Sequence, residues 1–391
     1  MVQERPFDLI LQGATGFTGH LAAEELALHA PSSLRWAVAG RDATRVSAVA
    51  QRFGVPAIIA DGLDPQAVND LAAQTRVVIS CAGPFSVFGN PLVEACVKNQ
   101  THYADLTGEL PWIQKLINTH HEKCVAQRTT LIPASGFDSV PADLGVFAMR
   151  QQLKENLPLH KDGMALHGFF TVRGGLNGGT LHSGIALAEQ GVLTDASPPA
   201  HIGPAVFRVP SLKRWAAPFL MAAVNESIVA RSRDLLESHS DALAAESSNA
   251  PTASATPYQE HLLVRGRFRA LQMKWLLQIS NGFLQSSFGR RLLKRFGPKP
   301  GEGPSEQDIR DGFARFIVIA GDLDNPTAMR QWNWDGDPSN RITVRCLVQT
   351  GLALAAGEAL SGGVLTPASA LGNQLLQRLV ATGAVEEVHL H

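Results

Sequence analysis

The segment Phe7-Asp8-Leu9-Ile10-Leu11-Gln12-Gly13-Ala14-Thr15-Gly16-Phe17-Thr18-Gly19 constrains this chain more than any other. A short apolar run ends in glycines spaced G-x-x-G-x-x-G. A helical pattern follows, with Phe17, Leu21 and Leu28 on one face. That is strand, tight turn, helix. Gly13 suits the turn because glycine takes positive φ without a steric penalty. Gly16 carries no Cβ, so a pyrophosphate can approach its backbone. Gly19 lets the helix pack close to the strand. The helix N-terminus then offers free N–H groups and the positive end of its dipole to phosphates. A glycine triplet alone says little; the strand-to-helix context gives it weight.

Strands and helices alternate through the first third. Strands are expected at 34–39, 57–60, 77–82, 101–106 and 131–134. Asp42 reads as the cap of the second helix, and Asp64-Pro65 opens the third. Such alternation implies an α/β fold, a Rossmann-type doubly wound parallel sheet whose ligands bind beyond the carboxyl ends of its strands. From 151 the rhythm changes. A longer strand at 164–172 leads into the glycine-rich stretch Arg173 to Thr180, which is either a cover over the cofactor or a plain loop. Helical spacing returns between Trp215 and Leu236. Residues 238–257, rich in Ser, Ala and Thr, read as a mobile loop. Strands are expected at 316–320 and 342–348, with Asp322 to Asn340 as a polar turn between them. The second part is therefore α+β with a mainly antiparallel sheet.

The second strand tip bears on the cofactor. Dinucleotide sites selective for NAD place Asp or Glu there, about 20 residues beyond the glycines. This chain has Ala39-Gly40-Arg41. Arg41 either grips a 2′-phosphate with a forked, charge-assisted hydrogen bond, for which Gly40 leaves room, or is a surface arginine. The first reading selects NADP. Asp61 and the fourth tip, Cys81-Ala82-Gly83-Pro84-Phe85, complete the cofactor candidates with Gly13 to Gly19. Phe85 is placed near the nicotinamide, and Cys81 is read as a small buried residue and not a nucleophile. The fifth tip, Tyr103-Ala104-Asp105-Leu106-Thr107-Gly108-Glu109, and the sixth, Gly136-Phe137-Asp138-Ser139, carry polar groups where substrate chemistry occurs. Tyr103, Asp138 and Ser139 are the catalytic candidates. Asp105 has a second reading as a turn cap, and Asp138-Ser139 as caps of the next helix.

The net charge of −1 does not suit a nucleic-acid binder. Cys81, Cys96, Cys124 and Cys346 form no C-x-x-C pair, so no metal site or disulfide framework is expected. With no signal peptide and no apolar run of about 18 residues, a cytoplasmic protein is expected. One stretch stands apart. Arg265, Arg267, Arg269, Lys274, Arg290, Arg291, Lys294, Arg295 and Lys299 lie among large apolar residues, with no acidic residue between 265 and 299. This suits a peripheral membrane contact, the mouth of a pocket for a greasy acidic substrate, or a helix packed on its own domain.

Taken together and in order, the glycine loop, Ala39-Gly40-Arg41, Ala82-Gly83-Pro84-Phe85, the Tyr103–Glu109 motif, Gly136-Phe137-Asp138-Ser139-Val140-Pro141 and Gly362-Gly363-Val364-Leu365-Thr366-Pro367-Ala368 resemble the saccharopine dehydrogenase-like oxidoreductases. The resemblance is strongest to the branch that includes the trans-acting enoyl reductases. It implies an NADP-dependent reductase of an enoyl, carbonyl or imine group on a small or lipid-like substrate. It also implies that C-terminal helices return to the first domain. The expected domains are 1–140, 141–345 and 346–391. A non-catalytic NADPH-binding or membrane-associated scaffold module and a true saccharopine-type dehydrogenase are the alternatives, and a homodimer is compatible with the sequence.

Overall fold

A computed structural model describes residues 5–156, 164–174, 178–189, 205–244, 258–297 and 303–389. The first third runs β1 (Phe7–Gln12), α1 (Phe17–His29), β2 (Trp36–Gly40), α2 (Ala43–Phe53), β3 (Ala57–Ile59), α3 (Pro65–Ala73), β4 (Thr75–Ser80), α4 (Phe85–Lys98), β5 (His102–Asp105), α5 (Leu110–Gln127) and β6 (Thr130–Ile132). The chain continues through α6 (Val140–Asn156), β7 (Leu166–Arg173), α7 (Gly178–Glu189), β8 (Phe207–Val209), β9 (Arg214–Pro218), β10 (Tyr258–Val264), β11 (Phe313–Gly321), β12 (Pro326–Asp335), β13 (Gly363–Val364) and β14 (Val385–His389).

β1 to β6 form a parallel sheet in the order β3-β2-β1-β4-β5-β6, and β13 extends its β6 edge. The chain reverses direction across the sheet between β1 and β4, which opens a crevice at their carboxyl ends. Both faces are covered. Leu9 and Leu11 enter one core cluster and Ile10 the other, so successive side chains of β1 serve opposite cores. The second sheet has the order β14-β12-β11-β7-β10-β9-β8 and is antiparallel except for β7 with β10. One core cluster joins the two sheets, running from Leu9, Leu11 and Ile79 to Phe170, Phe316 and Trp332. That continuity packs the two sheets into one core.

Several elements differ from the sequence reading. In α1 the buried face is Ala22, Ala23 and Leu26, while Leu28 is 73% exposed. Small residues let this helix lie close to the sheet, so its inner face does not look strongly apolar. Trp215 belongs to β9, and the following helix, Ala222–Ala244, runs through residues 238–244 of the expected mobile loop. The rest of that loop, and residues 298–302 of the proline-glycine stretch, lie outside the described residues.

The largest difference is near residue 340. The expected strand at 342–348 is a π-helical turn, Pro338–Ile342, followed by the helix Thr343–Ala355. The expected turn contains β12, in which Trp332 and Trp334 point inward between polar Gln331, Asn333 and Asp335. Every residue of the helix Thr343–Ala355 is buried, so no polar face marks its period. Arg345 within it is neutralised by Asp335 at 3.3 Å and Glu25 at 3.8 Å. Gly351 presses against β4; a Cβ there would sit 2.5 Å from Ile79 Cγ2. The C-terminal segment is not wholly helical, because β14 leaves the first sheet and pairs with β12. Among the described residues no helix is long and apolar enough to cross a membrane.

Candidate active site

The site is built at the carboxyl ends of the first sheet. Gly13 has φ +82°, and its N–H and that of Ala14 both donate to Ala39 O, at 3.0 and 3.2 Å. These bonds fix the loop against β2. The three glycines differ in what surrounds them. A Cβ on Gly19 would lie 2.1 Å from Gly13 O, so helix and loop touch backbone to backbone there. A Cβ on Gly16 would meet only Gly13 O, at 3.5 Å. Gly16 is also the N-cap of α1, and no side chain caps that helix. No side chain accepts from its first-turn N–H groups, which leaves those donors for an anion. Phe17 and Thr18 supply that first turn, and Thr15 lies beside the β2 tip. Gln12 Oε1 is buried at the end of β1 without a partner.

At the β2 tip, Asp42 Oδ1 accepts from Arg45 N at 3.0 Å and caps α2, as its position predicted. Arg41 is exposed, and no described hydrogen bond or ion pair involves its side chain. A Cβ on Gly40 would meet Val46 Cγ2 of α2 at 3.0 Å, so glycine here also lets α2 pack close to the β2 tip. Arg45, which sequence reasoning missed, reaches back from the first turn of α2 to donate to Thr15 O at 2.7 Å. Two guanidinium-bearing residues therefore flank the glycine loop where an NAD site has a carboxylate. Asp61 is exposed and accepts from Leu63 N at 3.0 Å, closing the turn into α3.

The fourth tip is narrow. A Cβ on Gly13 would lie 3.0 Å from Ala82 N, so the loop and this tip are in contact. The Phe85 ring is buried against Trp112, centroids 5.6 Å apart, and lies behind Gly83, where a Cβ would meet its Cε2 at 3.3 Å. Burial, with the charge of Asp105, pushes the Cys81 thiol up to about 12, which leaves it protonated and inert. Glu109 accepts from Phe85 N at 2.7 Å and Ser86 N at 3.0 Å. Its carboxylate caps α4 and fixes the fourth tip from the fifth. Asp105 proves to be a turn cap, accepting from Thr107 N at 2.8 Å and Ala134 N at 3.3 Å.

The three catalytic candidates part company. Tyr103 is fully enclosed in the core beneath the sheet's second face. Burial first, then the Asp105 charge, holds its phenol well above the usual range. Tyr103 Oη and Asp105 Oδ2 influence each other, but no hydrogen bond of good geometry joins them. Asp138 is half-buried and Ser139 fully buried at the sixth tip. Neither side chain caps α6 among the described residues, and Ser139 Oγ has no partner. Phe137 N donates to Thr343 Oγ1 at 3.2 Å and anchors this tip. Burial raises the Asp138 carboxyl to about 6. Water still reaches its edge, so it can both hold and exchange a proton.

Behind Asp138 stands a group of acids that no motif marked. A Cβ on Gly108 would lie 3.3 Å from Met221 Cε and 3.8 Å from Asp138 Oδ2, so the second sheet's elements meet the fifth and sixth tips here. Glu260 is fully buried; Tyr258 Oη donates to its Oε2 at 2.6 Å, and Asn225 Nδ2 stands 2.6 Å from its Oε1. Glu226 Oε1 accepts from Glu260 N at 2.9 Å. Burial raises Glu226 to about 7 and Glu260 to about 8, with the Glu226 and Asp138 charges adding to the latter. Burial therefore favours the protonated form of Glu260. Asn225 Oδ1 is left unpartnered. Phe170 stacks on Phe219 at 5.1 Å and meets Phe137 edge-on at 5.7 Å; Phe137 and Phe170 are core residues packed behind this tip, and Phe219 is part-exposed.

The saccharopine dehydrogenase NADP binding domain matches residues 9–132, which span β1 to β6. A Mycobacterium tuberculosis protein provisionally named a trans-acting enoyl reductase is 33% identical over 421 residues, covering 97% of this chain and 96% of that protein. The trans-acting enoyl reductase of Mycobacterium leprae is 32% identical over 430 residues, covering 98% of this chain and 97% of that protein. Among solved structures, apo saccharopine dehydrogenase (L-Glu forming) of Saccharomyces cerevisiae has a TM-score of 0.56 at 12% identity, covering 98% of this chain and 100% of that one; it shares the fold. The cofactor is NADP, and the uncapped N-terminus of α1 with Arg41 and Arg45 beside the glycine loop fits that cofactor. The chain belongs to the saccharopine dehydrogenase-like oxidoreductases, in the branch that holds the trans-acting enoyl reductases.

Proposed function

We propose that this protein is an NADPH-dependent reductase of a carbon–carbon double bond conjugated to an acyl carbonyl, on a lipid-like substrate. The observation that carries the reading is Asp138: a half-buried carboxyl raised to about 6, at the carboxyl end of the sheet that also carries the glycine loop, beside Gly108 and Met221. The names of the relatives support the enoyl class. When bound, NADPH supplies a hydride for the β-carbon. The α-carbon then needs a proton. Asp138 is the proposed donor, and loses that proton as the new C–H bond forms. Burial favours the protonated form of Glu260 behind it, which limits the charge in the pocket while Asp138 is ionised. The glycine loop, with Arg41 and Arg45, binds and orients the dinucleotide. Part-exposed Phe219 and Met221, on the Asp138 side, favour an apolar chain over a hydrated one.

The test is NADPH consumption with an α,β-unsaturated acyl thioester, compared with a saturated ketone and an imine of equal length. The reading predicts turnover of the first alone. Asp138→Asn should lower the chemical step by about 10²-fold or more and remove the fall in rate as pH rises through about 6. Turnover of the ketone or imine only, or an unchanged pH profile in the variant, contradicts it.

A further inference from the structure

The basic, apolar stretch forms two consecutive helices, Arg267–Gln285 and Ser287–Phe296. In the first only Ala270 is buried, and in the second only Gly289. Phe268, Trp275, Leu276, Ile279, Phe288 and Phe296 are each 58–73% exposed among the described residues. A globular protein does not ordinarily leave so many large apolar side chains in water on one continuous segment. They are also ordered along the helices. Phe268, Leu271, Trp275 and Ile279 recur every three or four residues, and Phe288, Leu292 and Phe296 every four, so each helix carries an outward apolar stripe.

The charges are arranged with the same stripes. Three cations are used within the fold: Arg290 donates to Leu284 O at 2.9 Å and Gln285 O at 2.6 Å, Lys294 pairs with Glu189 at 2.7 Å, and Arg267 lies over the Trp215 ring at 5.9 Å. Arg269, Arg291 and Arg295 are exposed beside the apolar stripes and have no ion pair among the described residues. No acidic residue interrupts the segment. A second copy of this chain does not suit such a face, because an isologous contact would set cations against cations. An anionic, apolar surface suits both features at once.

The position of the helices adds a purpose. α7 connects them to the crevice: Ser183 Oγ is 3.8 Å from where a Cβ on Gly83 would lie, and Leu181 fills the space beside Gly297 at the end of the second helix. Gly303 rests on the Phe17 ring at the start of α1. We propose that the helix pair Arg267–Gln285 and Ser287–Phe296 is a reversible docking surface for an anionic lipid bilayer, which holds the mouth of the crevice at the membrane. Apolar stripes enter the acyl boundary while Arg269, Arg291 and Arg295 meet lipid phosphates and carboxylates.

The experiment is flotation of the purified protein with phosphatidylcholine vesicles and with vesicles containing phosphatidylserine, at about 0.1 M and about 1 M salt, where the Debye length shrinks from ~10 to ~3 Å. Binding is expected to phosphatidylserine vesicles and to weaken strongly at high salt. Replacing all three of Arg269, Arg291 and Arg295 by Gln should lower partition about a hundredfold, roughly fivefold per cation. Trp275→Ser with Phe288→Ser should lower it by more than about tenfold. Unchanged NADPH affinity in both variants shows that they are folded, and separates failure here from failure of the reductase reading. No flotation, equal flotation with neutral vesicles, or variants that float like the parent overturn the proposal. Self-association abolished by Trp275→Ser with Phe288→Ser also overturns it and assigns the face to a second copy.

Discussion

Gly19 and Gly16 lie three residues apart, yet the geometry assigns them opposite duties, and alanine and valine separate these duties. At Gly19 a Cβ would sit 2.1 Å from Gly13 O, 2.8 Å from Gly13 C and 2.9 Å from Ala14 Cα. All three are backbone atoms and cannot swing aside, so α1 must move off the loop. Overpacking of this kind costs about 1–3 kcal/mol, and the depth of the overlap places it at the upper end. Alanine returns about 0.8–1 kcal/mol of helix propensity. The net destabilisation of Gly19→Ala is about 2 kcal/mol. At roughly 2 cal/mol/K for each of 391 residues, the unfolding entropy is about 0.8 kcal/mol/K, so Tm should fall by ~2–3 °C. At Gly16 φ is −78° and ψ 167°, a conformation valine prefers, and a Cβ would touch only Gly13 O at 3.5 Å. Gly16→Val should keep its Tm within about 1 °C but lose NADPH affinity at least about a hundredfold, ~2.7 kcal/mol. Thermal unfolding and titration calorimetry on both variants read these outcomes. A Gly19→Ala protein as stable as the parent, or a Gly16→Val protein that binds NADPH normally, would refute the division.

Arg41→Ala should weaken NADPH by about tenfold or more and leave NADH unchanged, read by calorimetry with both cofactors; equal losses would remove Arg41 from the phosphate site. Glu109→Ala leaves the buried amides of Phe85 and Ser86 without their acceptor, so it should destabilise the fold by about 1.5–3 kcal/mol in denaturant titration. Glu260, raised to about 8 by burial, binds its proton more tightly folded than unfolded; its contribution is therefore full below about pH 4.5 and is lost as pH rises towards 8. Glu260→Gln should flatten the stability–pH curve between those values by up to about 1.4 kcal/mol per pH unit.

The parts legible in the sequence are those where one local constraint acts alone. Gly13 needs positive φ, Gly19 needs close approach and Asp42 caps the next helix; each follows from residues within a few positions. The parallel sheet follows from the repeated alternation that builds it. Elements buried on every side were harder. The helix Thr343–Ala355 shows no polar face, and a few alternating residues at its start imitate a strand. β12 read as a polar turn because half of it faces outward. Phe85 and Tyr103 sit at or beside strand tips, but a tip position does not say which way a ring turns, and both turn into the core. The acids behind Asp138 were invisible because Asn225, Glu226, Tyr258 and Glu260 meet it only through the pairing of β10 and the packing of the helix Ala222–Ala244.

The account stands or falls on where the nicotinamide lies relative to Asp138. A crystal structure of the protein with NADP bound measures this directly. It should show the pyrophosphate on the first turn of α1 and the nicotinamide beside the Ala82-Gly83 tip. The Asp138 carboxyl should stand across a substrate-sized gap of a few ångströms from the ring's C4, within direct or one-water reach of a bound α-carbon. A nicotinamide more than about 10 Å from Asp138, beyond such reach, would contradict the assignment of the proton donor and with it the proposed reaction.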